Sequence, residues 1–381
     1  MGTPAIDTGA LVAWLIDGAR DCVPPQDVLK KLADGLVAAG VPLARAAVFI
    51  RTLHPLVAGR RFGWRAGRPV EVSELKYEMI STAGYAESPV AYIYEKNVEL
   101  RRQLARADCP VDFPLLKTQR EEGITDYFGT PLRFTFGEVH AAVWSTNAPG
   151  GFADVHLAAI RSIVAPLARV AEVRALTRTS ASLLNTYIGH KTGDRVRAGS
   201  IRRGDTESIR AAIWLSDMRG FTALTDRQKP ETVLDTLNRY FDCQVPAISA
   251  HGGEVLKYIG DGLLAIFPVT NDPDKACAEA LAAAHDARAE VAKIEGLRFG
   301  LALHVGEVLY GNIGSGDRLD FTCIGPAVNL AARLEKIAAR EGHAVVASAD
   351  FARHCGAPLT PLGAFSLAGF HEPQPAFALP D

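Results

Sequence analysis

Apolar positions along this 381-residue chain change their period repeatedly, and the changes outline two blocks. In the first, QDVLKKLADGLVAAG at 26–40 carries apolar residues at helical spacing and closes on glycine, so a helix is expected. RAAVFIRTL at 45–53 reads as a strand, and RRFGWRAGRPVEV as strand material turning at Arg65-Ala66-Gly67. Residues 72–123 are mixed, with helices expected among them. ITDYFGTPLRFTF and EVHAAVWST form a hairpin around Gly137-Glu138, and a long amphipathic helix is expected from about Asp154 to Arg178. Residues 176–208 begin helical and become Gly- and Arg-rich, in the manner of a solvated connector or dimer stalk.

The second block is clearer. A strand at 210–217 leads to a helix from about Pro230 to Ala250, then to strands at 254–259 and 263–268. A second helix opens with Asp272 as cap and Pro273 in its first turn, followed by a strand at 298–305. YGNIGSGDRLDFTCI then reads as a hairpin and NLAARLEKIAA as a helix. The order β-α-β-β-α-β is that of the ferredoxin-like split unit, an α/β (α+β) fold.

Composition narrows the class without choosing it. Apolar residues make up 48% and charged residues 22%, and 41 basic against 43 acidic side chains leave a net charge of −2. Nothing there recommends nucleic acid or an acidic membrane as partner. Six scattered cysteines without a Cys-x-x-Cys argue for reduced, packing thiols. VHLAAIRSIVAPLARVAEV is interrupted by Arg161 and Arg169, so no membrane span is expected. ALVAWLI is short and flanked by Asp7 and Asp17, which argues against a signal peptide and for a cytoplasmic protein.

Two carboxylates carry the candidate chemistry. Asp217 ends an apolar run in IWLSDMRGFT, and Asp261 sits in the Gly260-Asp261-Gly262 turn of GGEVLKYIGDGLLAIF. Gly220 lets the backbone after Asp217 approach an anionic group. Carboxylates on neighbouring strand ends beside such a loop suit two hard cations and a nucleotide triphosphate.

With GEVLYGNIGS and DFTCIGPAVNLAARLE in the same order, residues 207–381 resemble the catalytic domain of class III nucleotidyl cyclases. The resemblance implies that Asp217 and Asp261 hold two Mg²⁺ or Mn²⁺ ions, with Gly220, Phe221 and Thr222 at the substrate. It implies that Lys257 and Thr322 read the base, that Asn329 orients the ribose, and that Arg333 stabilises charge on the α-phosphate. Lysine with threonine is a pair of adenylate cyclases, so ATP is the expected substrate and cyclic AMP with pyrophosphate the products. Guanylate cyclases usually carry glutamate and cysteine; Cys323 lies one residue off, on the opposite face by strand alternation. The family builds each site from two subunits, which implies a symmetric homodimer. One position departs: Ala368 stands where a phosphate-binding lysine is usual, with Arg318 or His371 as substitutes.

Three readings follow: an adenylate cyclase (a lyase of cyclic AMP signal transduction), a guanylate cyclase, and a non-catalytic nucleotide-binding regulator of the same fold. The expected organisation is 1–170 as a sensor domain, 171–208 as a helical connector and 209–381 as the catalytic domain. The helix, strand, hairpin, helix order of 1–170 resembles a GAF-type α/β domain, in which Trp64, Trp144 and Tyr127 are expected in the core, with a pocket for an unknown small molecule as the second reading. His304 is expected in the sheet core, and His54 and His190 have no cluster to join.

Overall fold

In the computed structural model, which describes residues 5–380, the chain divides into two units, Met1–Leu183 and Leu184–Asp381. No helix of the described residues is long and apolar enough to cross a membrane.

The first unit opens with helices α1 (Gly9–Ile16) and α2 (Pro25–Ala38), then strands β1 (Arg45–Arg51), β2 (Gly59–Arg65) and β3 (Glu71–Leu75). The mixed region holds α3 (Tyr77–Ile80), α4 (Ala83–Ala86), α5 (Pro89–Lys96), β4 (Leu100–Arg102) and α6 (Pro114–Glu121). Strands β5 (Asp126–Arg133) and β6 (Val139–Thr146) and helix α7 (Asp154–Ile188) complete it. The antiparallel sheet runs β3-β2-β1-β6-β5-β4. Strands β5 and β6 are buried along nearly their whole length because apolar clusters cover both sheet faces. One cluster joins the sheet to α2 and α7, through Leu32, Leu36 and Ile163. The other joins it to α5 and α6, through Ile93 and Leu116. Helix α7 runs ten residues beyond the expected end at Arg178. Its last stretch lacks a continuous apolar stripe, which is why periodicity stops short of the true terminus.

The second unit begins with α8 (His190–Arg197), then β7 (Thr206–Met218), α9 (Phe221–Arg227), α10 (Pro230–Ala250), β8 (Glu254–Ile259), β9 (Gly262–Pro268) and α11 (Pro273–Ala292). It continues with β10 (Phe299–Gly314), β11 (Leu319–Ile324), α12 (Pro326–Glu341), β12 (Val345–Ser348), α13 (Ala349–His354), β13 (Thr360–Phe365) and β14 (Gln374–Ala378). The main sheet is ordered β13-β14-β12-β10-β7-β9-β8, with β11 paired to β10. Alternate residues of β7 serve opposite layers: Ala212, Trp214 and Met218 join the cluster under α10 and α11, while Ala211 and Ile213 join Tyr310, Cys323, Ala327 and Ala331. Part of the connector is not solvated. On α8, Thr192 is 1% exposed and donates to Glu254 Oε1 at 2.7 Å, and Tyr310 donates to the other oxygen at 2.9 Å.

Candidate functional site

Strand β7 delivers Asp217 at its last turn of sheet, on the face that carries Ala211 and Ile213. The β8–β9 turn brings Asp261 beside it. Gly262 makes that approach possible, since a Cβ there would meet the Ser216 carbonyl at 2.7 Å and Asp217 Oδ1 at 3.5 Å. Burial, then the charges of Asp261 and Glu335, push the Asp217 carboxyl up to about 6. Two carboxylates held together against their repulsion fit a site that gains a cation. Among the described residues no cluster of three or more His, Cys, Asp or Glu supplies a complete cage. Two carboxylates with the rest of the shell left to phosphate oxygens and water is the donor set that Mg²⁺ favours.

Arg219 organises the rim. Its Nη1 donates to Glu335 Oε1 on α12 at 2.6 Å, while its Nη2 is buried without a partner. The guanidinium lies across Gly300, the register partner of Asp217 on β10, where a Cβ would fall 2.3 Å from Arg219 Cζ.

A second cluster forms where β8 meets β11. Lys257 Nζ lies 3.9 Å from Asp320 Oδ2. Two residues on, Thr322 is 3% exposed and its Oγ1 is buried with no hydrogen-bond partner. Thr322 pairs with Gly311, whose φ is +150°; a Cβ there would stand 2.1 Å from the Asp205 carbonyl, so only glycine fits the close approach of that backbone. Cys323 packs in the apolar cluster, and burial pushes its thiol up to about 11.

Helix α12 presents Asn329 and Arg333 four residues apart, the first exposed and the second half-buried. Among the described residues neither side chain makes a hydrogen bond or ion pair. Glu335 follows Arg333 by two residues, about 200° around the helix, and it is Glu335 that faces the chain's own Arg219.

Residues 206–373 match the family model described as the adenylate and guanylate cyclase catalytic domain. This segment is a class III cyclase catalytic domain. The terminal-differentiation-specific adenylate cyclase of Dictyostelium discoideum is 34% identical over 140 residues, covering 35% of this chain and 7% of its own length. The adenylate cyclase of Anabaena cylindrica is 31% identical over 170 residues, covering 42% of this chain and 33% of its own. The crystal structure of the adenylyl cyclase CyaB from P. aeruginosa overlaps with a TM-score of 0.41 at 24% identity, across 46% of this chain and 96% of that one. The chain thus spans a third or less of the length of these curated relatives.

Within the cyclase domain the expected residues fall into separate groups. Asp217 and Asp261 meet, Lys257 reaches the strand of Thr322, and Asn329 with Arg333 stands apart on α12. Gly220 has φ +79° at the start of α9, Phe221 leans on the core, and Thr222 is exposed. Ala368, Arg318 and His371 are all exposed. His304 is buried in the sheet with its Nδ1 2.8 Å from Ser348 Oγ, as expected of a core histidine. In the first unit Trp144 and Tyr127 are 0% exposed and Trp64 3%, so all three are core residues, the latter two bordering a cleft also lined by Arg45 and Glu122. Sequence reasoning missed Arg219, Glu335 and Asp320. Only Asp320 left a signal, two positions before Thr322 on the same strand face.

Proposed function

We propose that this chain is an adenylate cyclase, converting ATP to 3′,5′-cyclic AMP and pyrophosphate at a site shared by two subunits. The observation that carries the substrate is the buried, unpartnered Thr322 hydroxyl on the strand that Lys257 reaches. An ammonium has only donors, so Lys257 suits the adenine N1 acceptor, and the Thr322 hydroxyl can accept from the N6 amino group. Guanine presents the reverse pattern along that edge, an N1 donor and an O6 acceptor.

Asp217 and Asp261 would hold two Mg²⁺ or Mn²⁺ ions against the phosphates. Bound there, the ions supply acidification of the ribose 3′-hydroxyl and neutralisation of the leaving pyrophosphate. The new bond joins the 3′-oxygen to the α-phosphorus as the hydroxyl proton passes to water, and the bond from the α-phosphorus to the bridging oxygen breaks, that oxygen leaving with pyrophosphate. Asn329 holds the ribose so that this attack is in line, and Arg333 meets the charge that grows on the α-phosphate with fixed donors. The α12 geometry supports a homodimer: Glu335 turns to the chain's own rim, and Asn329 and Arg333 are left for a partner's nucleotide.

The test incubates the full chain with ATP or GTP and Mg²⁺ or Mn²⁺ and identifies products by mass spectrometry, with Asp217→Ala as control. Cyclic AMP from ATP, absent in the variant, supports the reading. Faster cyclic GMP formation from GTP overturns the substrate. Nucleotide binding with no product under any condition makes the chain a non-catalytic regulator.

A further inference from the structure

A cleft in the first unit lies between α2, the β1–β2 face and α7, with about 840 Å³ of empty volume out to its solvent-open mouth. Its floor is apolar, built from Leu29 of α2, Val48 and Ile50 of β1, Phe62 of β2 and Val170 of α7. Its lining includes three arginines, Arg60, Arg174 and Arg178, and no aspartate or glutamate.

The three arginines are not equivalent. Arg60 is ion-paired with Glu74. Arg174 donates to the carbonyls of Ala19, Cys22 and Val23. Arg178 has no hydrogen bond or ion pair among the described residues, and burial and the Arg60 charge draw its guanidinium below its ordinary value. Four residues further along the same face of α7, Ser182 Oγ is buried without a partner and also lines the cleft. An exposed, unpaired guanidinium and a buried, unsatisfied hydroxyl thus stand over an apolar floor, which puts an available charge beside a hydrogen bond still to be made.

We propose that this cleft binds an amphipathic monocarboxylate, its carboxylate on Arg178 and Ser182 and its apolar chain on the floor. The guanidinium fork matches a carboxylate with two parallel hydrogen bonds, and the Ser182 hydroxyl donates a third. A phosphate or nucleotide would leave the apolar floor unused, and an uncharged hydrocarbon would leave Ser182 unsatisfied and the Arg178 charge unused.

The experiment titrates decanoate, below its micelle concentration, into the full chain by calorimetry, with decanol as the uncharged comparison. Decanoate is expected to bind one per chain, and decanol at least tenfold more weakly. Arg178→Gln should weaken decanoate at least tenfold while leaving decanol unchanged. Ala171→Trp, which fills the cleft from α7, should abolish both, with circular dichroism melts confirming that each variant folds. The proposal is overturned by non-saturable binding, by equal affinity for decanoate and decanol, or by Arg178→Gln binding decanoate like the parent. Should Ala171→Trp fail to fold, the Arg178→Gln comparison decides alone.

Discussion

Lys257 Nζ lies 3.9 Å from the Asp320 carboxylate, two residues before the buried hydroxyl of Thr322. The lysine side chain is 36% exposed and the aspartate 62%, so the pair is worth little as stability. Its effect is directional: it holds an otherwise free ammonium toward β11.

Thr322→Val should therefore separate recognition from folding. The valine keeps the shape and removes a hydroxyl that makes no bond in the fold, so the melting temperature should hold or rise. The kcat/KM for ATP should fall about tenfold to a hundredfold, the cost of one lost specificity contact. A fall in melting temperature with unchanged kcat/KM would assign Thr322 to packing alone.

If each site draws on two subunits, Asp217→Ala and Arg333→Ala should each be inactive as pure proteins and active when mixed. Random exchange makes half of the dimers hybrid, each with one intact site, so activity should return to roughly a quarter of the parent's. Mixtures as inactive as their components would refute a shared site.

The carboxylate of Glu254 is held inside the second unit by two hydroxyls, Thr192 from α8 and Tyr310 from β10. Tyr310→Phe removes one donor to a buried carboxylate and should cost about 1.5–3 kcal/mol. The check is the urea midpoint of the 184–381 transition; the 1–183 transition should not move.

Acid should loosen the first unit, whereas in the second the raised Asp217 carboxyl opposes its buried histidine over the same window. Burial, with Arg51's charge, pushes His140 down to about 4, and burial pushes His304 to the same value against a partial pull from Asp350. Both rings are neutral in the fold, while the unfolded chain takes up protons near its ordinary value of 6.5. The stability each neutral ring contributes is thus complete above that value, falls as pH drops toward 4, and then falls no further. Each ring contributes a loss of about 3 kcal/mol over that window. Melting scans from pH 7 to 5 check the direction in the 1–183 transition, and His304→Gln should leave the 184–381 transition gaining stability over the same scan as Asp217 takes up its proton.

The strand rims were legible in sequence because an apolar run ending in Asp-x-x-Gly announces where a sheet stops and a loop begins. The same local logic places His304 in the sheet and Asp272 at the start of α11. Three things were not legible. The Arg219–Glu335 contact joins residues 116 positions apart, and nothing local marks either partner for the other. Strand β10 runs to Gly314, beyond the expected end at 305, because Gly306, Gly311 and Gly314 mask its alternation while pairing with β7 and β11 extends it. The arginine-mouthed cleft is assembled from α2, the first strands and α7, so its charge pattern exists only once the chain is folded.

Gly311 sits opposite Thr322, and any side chain there would strike the backbone of Asp205 and Thr206. A genetic screen for loss of ATP selectivity would thus be expected to return Gly311 among its hits. The substituted residue would touch no nucleotide; it would prise the β10–β11 arm from its neighbour and carry the base-reading hydroxyl away with it.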